Sequence, residues 1–318
     1  MLRRNLGITI VGTILVTVLM VCFALNHYKK DLYDLSIDMG AKAAGLTKQQ
    51  IQINDHQLYY LENPHKNRQP TLLLVHGFGA FKENWIKLAI ELKDNFHIIS
   101  IDLPGHGESS FYTDNNYDID FQAQALKEFA DRIIKRPFIM AGNSMGGAIT
   151  ALYAATYPDD LQAVLLIDPG NITDVKSELY EYLANGIHPL IVESQQDFDF
   201  MMAFVMEQPP FLPWPLNRVS KQKMVDRLHK NKKIWQDISG KHNYDFKAMI
   251  TNIRAPTLIA WGKQDRVLNY QNAYVFNQLI PNSTVHLFDK VGHAPMIEIP
   301  QQLATVINQF VAHSTAAN

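Results

Sequence analysis

Phe138-Ile139-Met140-Ala141-Gly142-Asn143-Ser144-Met145-Gly146-Gly147-Ala148-Ile149-Thr150-Ala151-Leu152 is the stretch that decides the fold. Its first four residues form an apolar run that reads as a buried strand, and Ala148 to Ala155 reads as a helix. Between them lies a Gly-x-Ser-x-Gly turn. A strand, a sharp turn and a helix in that order make a nucleophile elbow, which lifts a strained serine above the edge of a sheet. Gly142 and Gly146 are required because a Cβ at either position would collide across the turn. The helix behind Ser144 aims backbone N–H groups and the positive end of its dipole at the place where an oxyanion would form.

Outward from the elbow the same grammar repeats. Thr71–Val75 ends in His76-Gly77, Ile98–Ile101 ends in Asp102, and Ala163–Ile167 ends in Asp168-Pro169-Gly170. Thr257–Trp261 leads to Gly262-Lys-Gln-Asp265, and Thr284–Phe288 leads to Val291-Gly292-His293. Helical patterns fall between them at 85–93, 120–135 and 301–312, and an alternating stretch around Asn54-Asp55 signals a hairpin. Apolar strands alternating with helices predict an α/β fold whose central sheet is mostly parallel and flanked by helices. Each chemically suggestive residue follows the C-terminal end of a strand, where open α/β sheets bind ligands.

The expected organisation is an α/β core at 51–169 and 251–318, interrupted after the sixth strand by a helical cap at 170–250. The cap segment is rich in apolar residues, notably Ile187, Leu190, Ile191, Phe198, Phe200, Met201, Met202, Phe204, Val205 and Met206. Met and Phe adapt to irregular shapes, so a minority of these are expected to line an acyl pocket and the rest to pack the cap onto the sheet. Residues 31–50 carry Leu32, Leu35, Met39, Ala43 and Leu46 at helical spacing and are expected to form a connector helix.

Serine attacks only when a base takes its proton. His293 follows the last strand and lies downstream of both Ser144 and the candidate acids, the order Ser…Asp…His that suits this turn. Asp265 is the expected partner that orients the imidazole, with Asp168 as the competitor at the same sheet edge. Two N–H donors are needed for the oxyanion; Met145 and Phe78 are in place to supply them, and His76 is placed to brace the Phe78 loop. No metal is expected, because the 12 histidines are scattered without ligand spacing and the chain has a single cysteine, Cys22. A net charge of −2 without a basic stripe excludes nucleic acid as a partner, and nothing in the sequence addresses oligomeric state.

Leu6 to Leu25 contains no charge and is about as long as a bilayer core requires. Arg3 and Arg4 precede it, and Lys29, Lys30 and Asp31 follow. An uncleaved N-terminal membrane anchor over residues 1–30 is the favoured reading, because the run exceeds a usual signal core and no Ala-x-Ala site follows. The alternatives are a secretory signal cleaved after Ala24, lipoprotein processing at Cys22 (opposed by the bulky Val21) and a buried globular helix.

His76-Gly-Phe-Gly with Trp85, Asp102-x-Pro-Gly-x-Gly-x-Ser109, the elbow, Trp261-Gly-x-x-Asp265 and Gly292-His293 together resemble the α/β-hydrolase superfamily, over about residues 51 to 312. More narrowly, the elbow, the stretch from Asp197-Phe198 to Pro213 and Gly292-His-Ala-Pro-Met296 resemble bacterial family V lipases and membrane-anchored monoacylglycerol lipases. The resemblance implies cofactor-free hydrolysis of acylglycerol esters through an acyl-enzyme on Ser144, on a lipid substrate, next to a membrane. For a bacterial chain the expected placement is the inner membrane with the domain on the periplasmic side. Carbon–carbon bond hydrolases of ring-cleavage products share the Gly-Asn-Ser-Met-Gly-Gly elbow, but they carry a tryptophan after the histidine where this chain has Ala294. A non-catalytic binding member of the fold is the remaining alternative; such proteins usually lose one of the three catalytic groups.

Overall fold

The computed structural model describes residues 2–65, 69–240 and 244–316, with the backbone alone for 2–11 and 315–316. Eight strands form one sheet: β1 (Thr47–Ile53), β2 (His56–Glu62), β3 (Thr71–Val75), β4 (His97–Ile101), β5 (Phe138–Asn143), β6 (Leu161–Ile167), β7 (Thr257–Gly262) and β8 (Ser283–Phe288). Their spatial order is β1-β2-β4-β3-β5-β6-β7-β8, parallel from β4 to β8, with the β1–β2 hairpin joined antiparallel to β4.

Strand alternation explains the layers. On β3, Leu73 and Val75 enter one core while Leu72 and Leu74 enter the other; on β7, Ile259 and Trp261 oppose Leu258 and Ala260. A sheet covered on both faces calls for the unbroken apolar runs seen in the sequence. The edge strand β8 instead leaves alternate residues exposed, and the edge strand β1 exposes Thr47 to Gln50 in succession.

Thirteen α-helices are described. They are α1 (Leu2–His27), α2 (Lys29–Ala43), α3 (Ile86–Leu92), α4 (Ile119–Phe129), α5 (Met145–Thr156), α6 (Glu178–Ala184), α7 (Gln195–Val205), α8 (Leu216–Asp226), α9 (Leu228–Ile238), α10 (Phe246–Ile250), α11 (Asn272–Leu279), α12 (Pro295–Glu298) and α13 (Pro300–Ala316). Helices α2, α3 and α13 cover one face of the sheet, and α4, α5, α10 and α11 cover the other. Helices α6 to α9 form the insertion after β6, whereas α10 places Phe246 and Ile250 in the core against α5. Two main-chain clamps fix the insertion to the core. Arg227 donates to the carbonyls of Gly105 and Gly107 at 3.0 Å each, and the Tyr117 N–H donates to Asp237 at 2.8 Å.

The connector differs from the expected helix over 31–50. It stops at Ala43, because Gly45 turns the chain at φ +71°, and Thr47–Gln50 already pair with Tyr59–Glu62 as the start of β1. Its core-facing side is Ile37, Gly40, Ala41 and Ala44, while Leu35 and Met39 of the expected stripe are exposed. Before it, α1 exposes Ile14, Leu15, Val16, Val18, Leu19, Met20, Val21 and Phe23 on all sides. Among the described residues no single helix is long and apolar enough to cross a membrane; Gly12–His27 and α2 meet that criterion only together, across a 67° bend. The side chains of Arg3, Arg4 and Leu6 to Val11, part of the expected anchor, lie outside the described residues.

Candidate active site

The chain passes from β3 to its neighbour β4 on one side and then to β5 on the other, so a topological switch point lies between β3 and β5. The crevice at their C-terminal ends is the place this architecture offers a ligand. The two loops that meet there are His76-Gly77-Phe78-Gly79 after β3 and the elbow after β5, where a Cβ on Gly77 would lie 3.0 Å from that of Ser144.

Ser144 sits at φ +57°, ψ −120°, a conformation that costs a non-glycine residue of order 1–3 kcal/mol and persists only under external constraint. The constraint is visible. Ser144 N–H donates to the Ile167 carbonyl at 3.1 Å, and Gly170 N–H donates to the Ser144 carbonyl at 2.9 Å, so the end of β6 holds both sides of the residue. A Cβ on Gly142 would lie 2.1 Å from the Gly146 carbonyl oxygen, and one on Gly146 would lie 2.3 Å from that of Val75. Those distances are why the turn needs glycine at both positions. Asn143 had no role in the sequence reading. Its buried amide donates to the carbonyls of Ile167 at 3.2 Å and His293 at 3.1 Å, tying elbow, β6 and histidine loop together.

His293 and Asp265 come together as expected, with His293 Nδ1 2.6 Å from Asp265 Oδ2 and both residues buried. Asp265 is also held by Trp261 Nε1–H at 3.0 Å and by the N–H groups of Val267 and Leu268 at 2.8 and 2.9 Å. Every one of these partners is a nitrogen, and they fix the carboxylate in one orientation. With Nδ1 on Asp265, His293 Nε2 is left free of any protein partner among the described residues. That tautomer is the one a general base requires.

Asp168 ends β6 directly beside this pair. Its Oδ1 accepts from Gly262 N–H at 2.9 Å, and its residue sits at φ +44°. Burial, followed by the nearby charge of Asp265, pushes its carboxyl well above the usual range, and the Gly262 N–H offsets part of this. Position in the sequence favoured Asp265 over Asp168, and it is Asp265 that makes the 2.6 Å contact with His293.

Glu298 was not foreseen. Its carboxylate accepts from Glu207 and Gln208 N–H at 2.9 Å each, from Gly292 N–H at 3.1 Å and from Ala294 N–H at 3.3 Å. It therefore ties the segment after α7 to both neighbours of His293. His293 N–H itself donates to the Val205 carbonyl at 2.8 Å, so the histidine loop is gripped by the insertion on two sides.

On the oxyanion side, Phe78 and Met145 N–H groups have no acceptor among the described residues. His76 braces their loop as expected: Nδ1–H donates to the Gly77 carbonyl at 2.8 Å, and Nε2 accepts from Leu103 N–H at 3.1 Å. Complete burial holds its pKa down at about 3, so both contacts rest on the neutral ring.

Ser144, Met145 and Phe78 open into a cavity of about 460 Å³. Its walls are mostly apolar: Ile119, Leu179, Leu183, Leu190, Trp235, Ile238, Val267 and Leu268, with Asn171, Thr173 and Ser239 as polar points. Of the Met/Phe-rich residues expected to supply part of this lining, only Leu190 does. Phe198 packs with Val192 and Met224, Phe204 and Met206 enter the two main cores, and Ile187 and Phe200 are exposed. The lining comes instead from α6 and α9, where Trp235 meets the Phe78 ring edge-on with centroids 5.3 Å apart.

A backbone-strained serine, an acid-paired buried histidine with a free Nε2 and two unpaired amides are the parts of an acyl-transfer centre. The sequence pattern of the alpha/beta hydrolase fold family matches residues 70–200 and 213–300, and the chain belongs to this family. It is a carboxylic ester hydrolase of the serine type. A crystal structure titled as a membrane phospholipase A, a bacterial virulence factor, superposes with a TM-score of 0.88 at 35% identity, covering 99% of both chains. Lipase 1 of Psychrobacter immobilis is 32% identical over 89% of this chain and 86% of its own. Monoacylglycerol lipase ABHD6 of Bos taurus is 30% identical over 86% and 85% respectively.

Proposed function

We propose that the protein hydrolyses acylglycerol esters at a membrane surface, with Ser144 as nucleophile, His293 as general base and Asp265 as its orienting acid. His293 Nε2 takes the hydroxyl proton as Ser144 Oγ attacks the ester carbonyl, and the amides of Phe78 and Met145 stabilise the oxyanion. His293 returns the proton to the departing alcohol, leaving an acyl-enzyme. Water then attacks the acyl carbonyl as His293 Nε2 takes its proton; the acyl–Oγ bond breaks, His293 returns the proton to Ser144 Oγ, and the fatty acid leaves. The observation that carries this reading is the 2.6 Å Asp265–His293 contact, with the His293 carbonyl tied at 3.1 Å to Asn143, the residue before Ser144. The apolar cavity suits an acyl chain, and the cap over 170–250 is read as its cover.

A second reading, phospholipid as the ester, is favoured by the likeness to the membrane phospholipase A, which extends over 99% of the chain and so includes α1. Ring-cleavage substrates are disfavoured by Ala294. The test is a hydrolysis panel of mono-, di- and triacylglycerols, phospholipids, lysophospholipids and a ring-cleavage dienoate. Turnover of acylglycerols or phospholipids supports the reading; turnover of the dienoate alone rejects it.

The uncleaved N-terminal anchor belongs to the same proposal. An α1 exposing apolar side chains in every direction, with Arg3 and Arg4 in its first turn, suits a bilayer with the domain on the periplasmic side of a bacterial inner membrane. Alkaline carbonate extraction of membranes tests it: retention supports the anchor, and release of the full chain refutes it.

A further inference from the structure

We propose that Asp168 is a second orienting acid for His293, able to take over the imidazole when Asp265 is lost. The inference rests on the reading of Ser144 and His293 given above. Three observations carry it. One carboxylate oxygen from each aspartate and one ring nitrogen of His293 all lie within 4.8 Å of one another, so either acid stands within a small side-chain adjustment of the ring. Asp168 is fully buried, and its Oδ2 has no hydrogen-bond partner among the described residues, although a buried polar atom left unpaired costs about 1–3 kcal/mol. The backbone is also arranged for it. Asp168 leaves β6, and its Oδ1 receives the N–H of Gly262, the last residue of β7. The strand that carries Asp265 into place thus also fixes Asp168.

A residue serving only as a turn after β6 has no need of a buried ionisable group with one oxygen unsatisfied. Asparagine would satisfy the Gly262 N–H equally well, without the like charge that Asp265 imposes. In the intact protein Asp265 holds Nδ1–H with Oδ2. With Asp265 removed, the like charge beside Asp168 disappears, while burial, the larger cause, and Glu298 still favour its protonated form. At pH values where Asp168 ionises, it accepts from Nδ1–H and keeps His293 in the tautomer that leaves Nε2 bare. Asp168 is a positioning residue in this account: it acts on the ester only through His293.

The experiment compares Asp265→Ala with Asp265→Ala/Asp168→Asn on a p-nitrophenyl acyl ester, following kcat and KM across pH. Loss of the only orienting carboxylate is worth about 10⁴ in kcat. With Asp168 in reserve, Asp265→Ala should lose only about 10²-fold in kcat, with KM little changed, and the double variant should fall a further 10²-fold. The single variant should also show an acid limb, set by ionisation of Asp168, that the double variant lacks; a purely structural Asp168 would not move that limb. If Asp265→Ala does not fold, Asp265→Asn, which retains an acceptor for the Val267 and Leu268 N–H groups, replaces it. A full 10⁴-fold loss in the single variant, unchanged by Asp168→Asn, overturns the second-acid role and leaves the catalytic assignment intact. Wild-type turnover in the double variant would overturn the assignment of His293 and Asp265 itself.

Discussion

Replacing Glu298 by glutamine changes one oxygen into an NH2 group and nothing else, yet the geometry makes this a demanding substitution. Oε2 receives Glu207 and Gln208 N–H from the insertion, Oε1 receives Ala294 N–H, and Gly292 N–H is shared by both oxygens at 3.1 Å each. A glutamine has one acceptor oxygen, so whichever way it turns, its NH2 confronts N–H donors on one side. If the histidine loop is the losing side, Ala294 loses its charge-assisted bond and Gly292 keeps one of its two acceptors. If the insertion is, Glu207 and Gln208 lose theirs. Hydrogen bonds to a charged group contribute about 1.5–3 kcal/mol each, so the loss of one or two, discounted for partial solvent exposure, comes to about 1–4 kcal/mol. Part of that appears as lower stability and part as a looser His293. Misplacing a catalytic group by about 1 Å is enough for a 10²-fold loss. We therefore expect Glu298→Gln to lower kcat 10- to 100-fold, with a smaller change in KM and a Tm several degrees lower. Steady-state kinetics on a soluble ester and a thermal melt measure both. A kcat within twofold of wild type at unchanged Tm would refute the reasoning.

Further predictions follow from individual contacts. Gly142→Ala drives a methyl group to 2.1 Å from the Gly146 carbonyl oxygen and 2.4 Å from Thr150 Oγ1, which the turn cannot absorb. It should destabilise by more than 3 kcal/mol or fail to fold, as read by urea titration, and a loss under 1 kcal/mol would contradict this. Lys82 is buried among Asp102 at 2.7 Å, Glu108 at 2.7 Å and Glu83 at 2.8 Å. Burial opposes its charge, but the carboxylates of Asp102 and Glu83 outweigh that and raise its pKa. Lys82→Met strands the fully buried Asp102 and should cost about 3–5 kcal/mol in the same titration. Acid should also unfold the protein through His76. Its folded pKa of about 3 lies below the ordinary 6.5, so the unfolded chain binds the extra proton. The stabilisation is complete above pH 6.5 and is lost progressively down to about pH 3, with a limiting slope of about 1.4 kcal/mol per pH unit. Buried His106, depressed by the same burial, adds to that slope. A Tm that stays flat between pH 7 and pH 4.5 would contradict this prediction.

The parts of the site legible in the sequence were those written locally. Ser144 announces itself because strand, turn and helix lie within fifteen residues, and the two glycines are demanded by contacts inside that same turn. Asp265 and Phe78 were legible because each follows an apolar run that reads as a buried strand, and His293 because it follows the last strand and lies downstream of Ser144 and Asp265. Asn143 and Glu298 were not, because their partners come from remote chain segments: Asn143 reaches His293, and Glu298 reaches Glu207. An isolated Asn or Glu carries no mark of such a contact. Periodicity misled over α2, and Met/Phe content over α7, for a shared reason: neither says what lies opposite an apolar residue. Leu35 and Met39 of α2 face outward, and the Met/Phe residues of α7 pack beside the pocket while α6 and α9 line it. Asp265 was preferred to Asp168 on its position after β7, although both aspartates follow adjacent strands of one sheet; the distance to His293 is what the sequence could not supply.

The central claim is that ester cleavage passes through an acyl group on Ser144. A rapid quench with a slowly deacylating long-chain p-nitrophenyl ester, followed by peptide mass spectrometry, reads this directly. The account predicts a stoichiometric burst of p-nitrophenol and one acyl mass on the peptide that contains Ser144, both absent in Ser144→Ala. Continued turnover by Ser144→Ala, or an acyl adduct on a different residue, would contradict it.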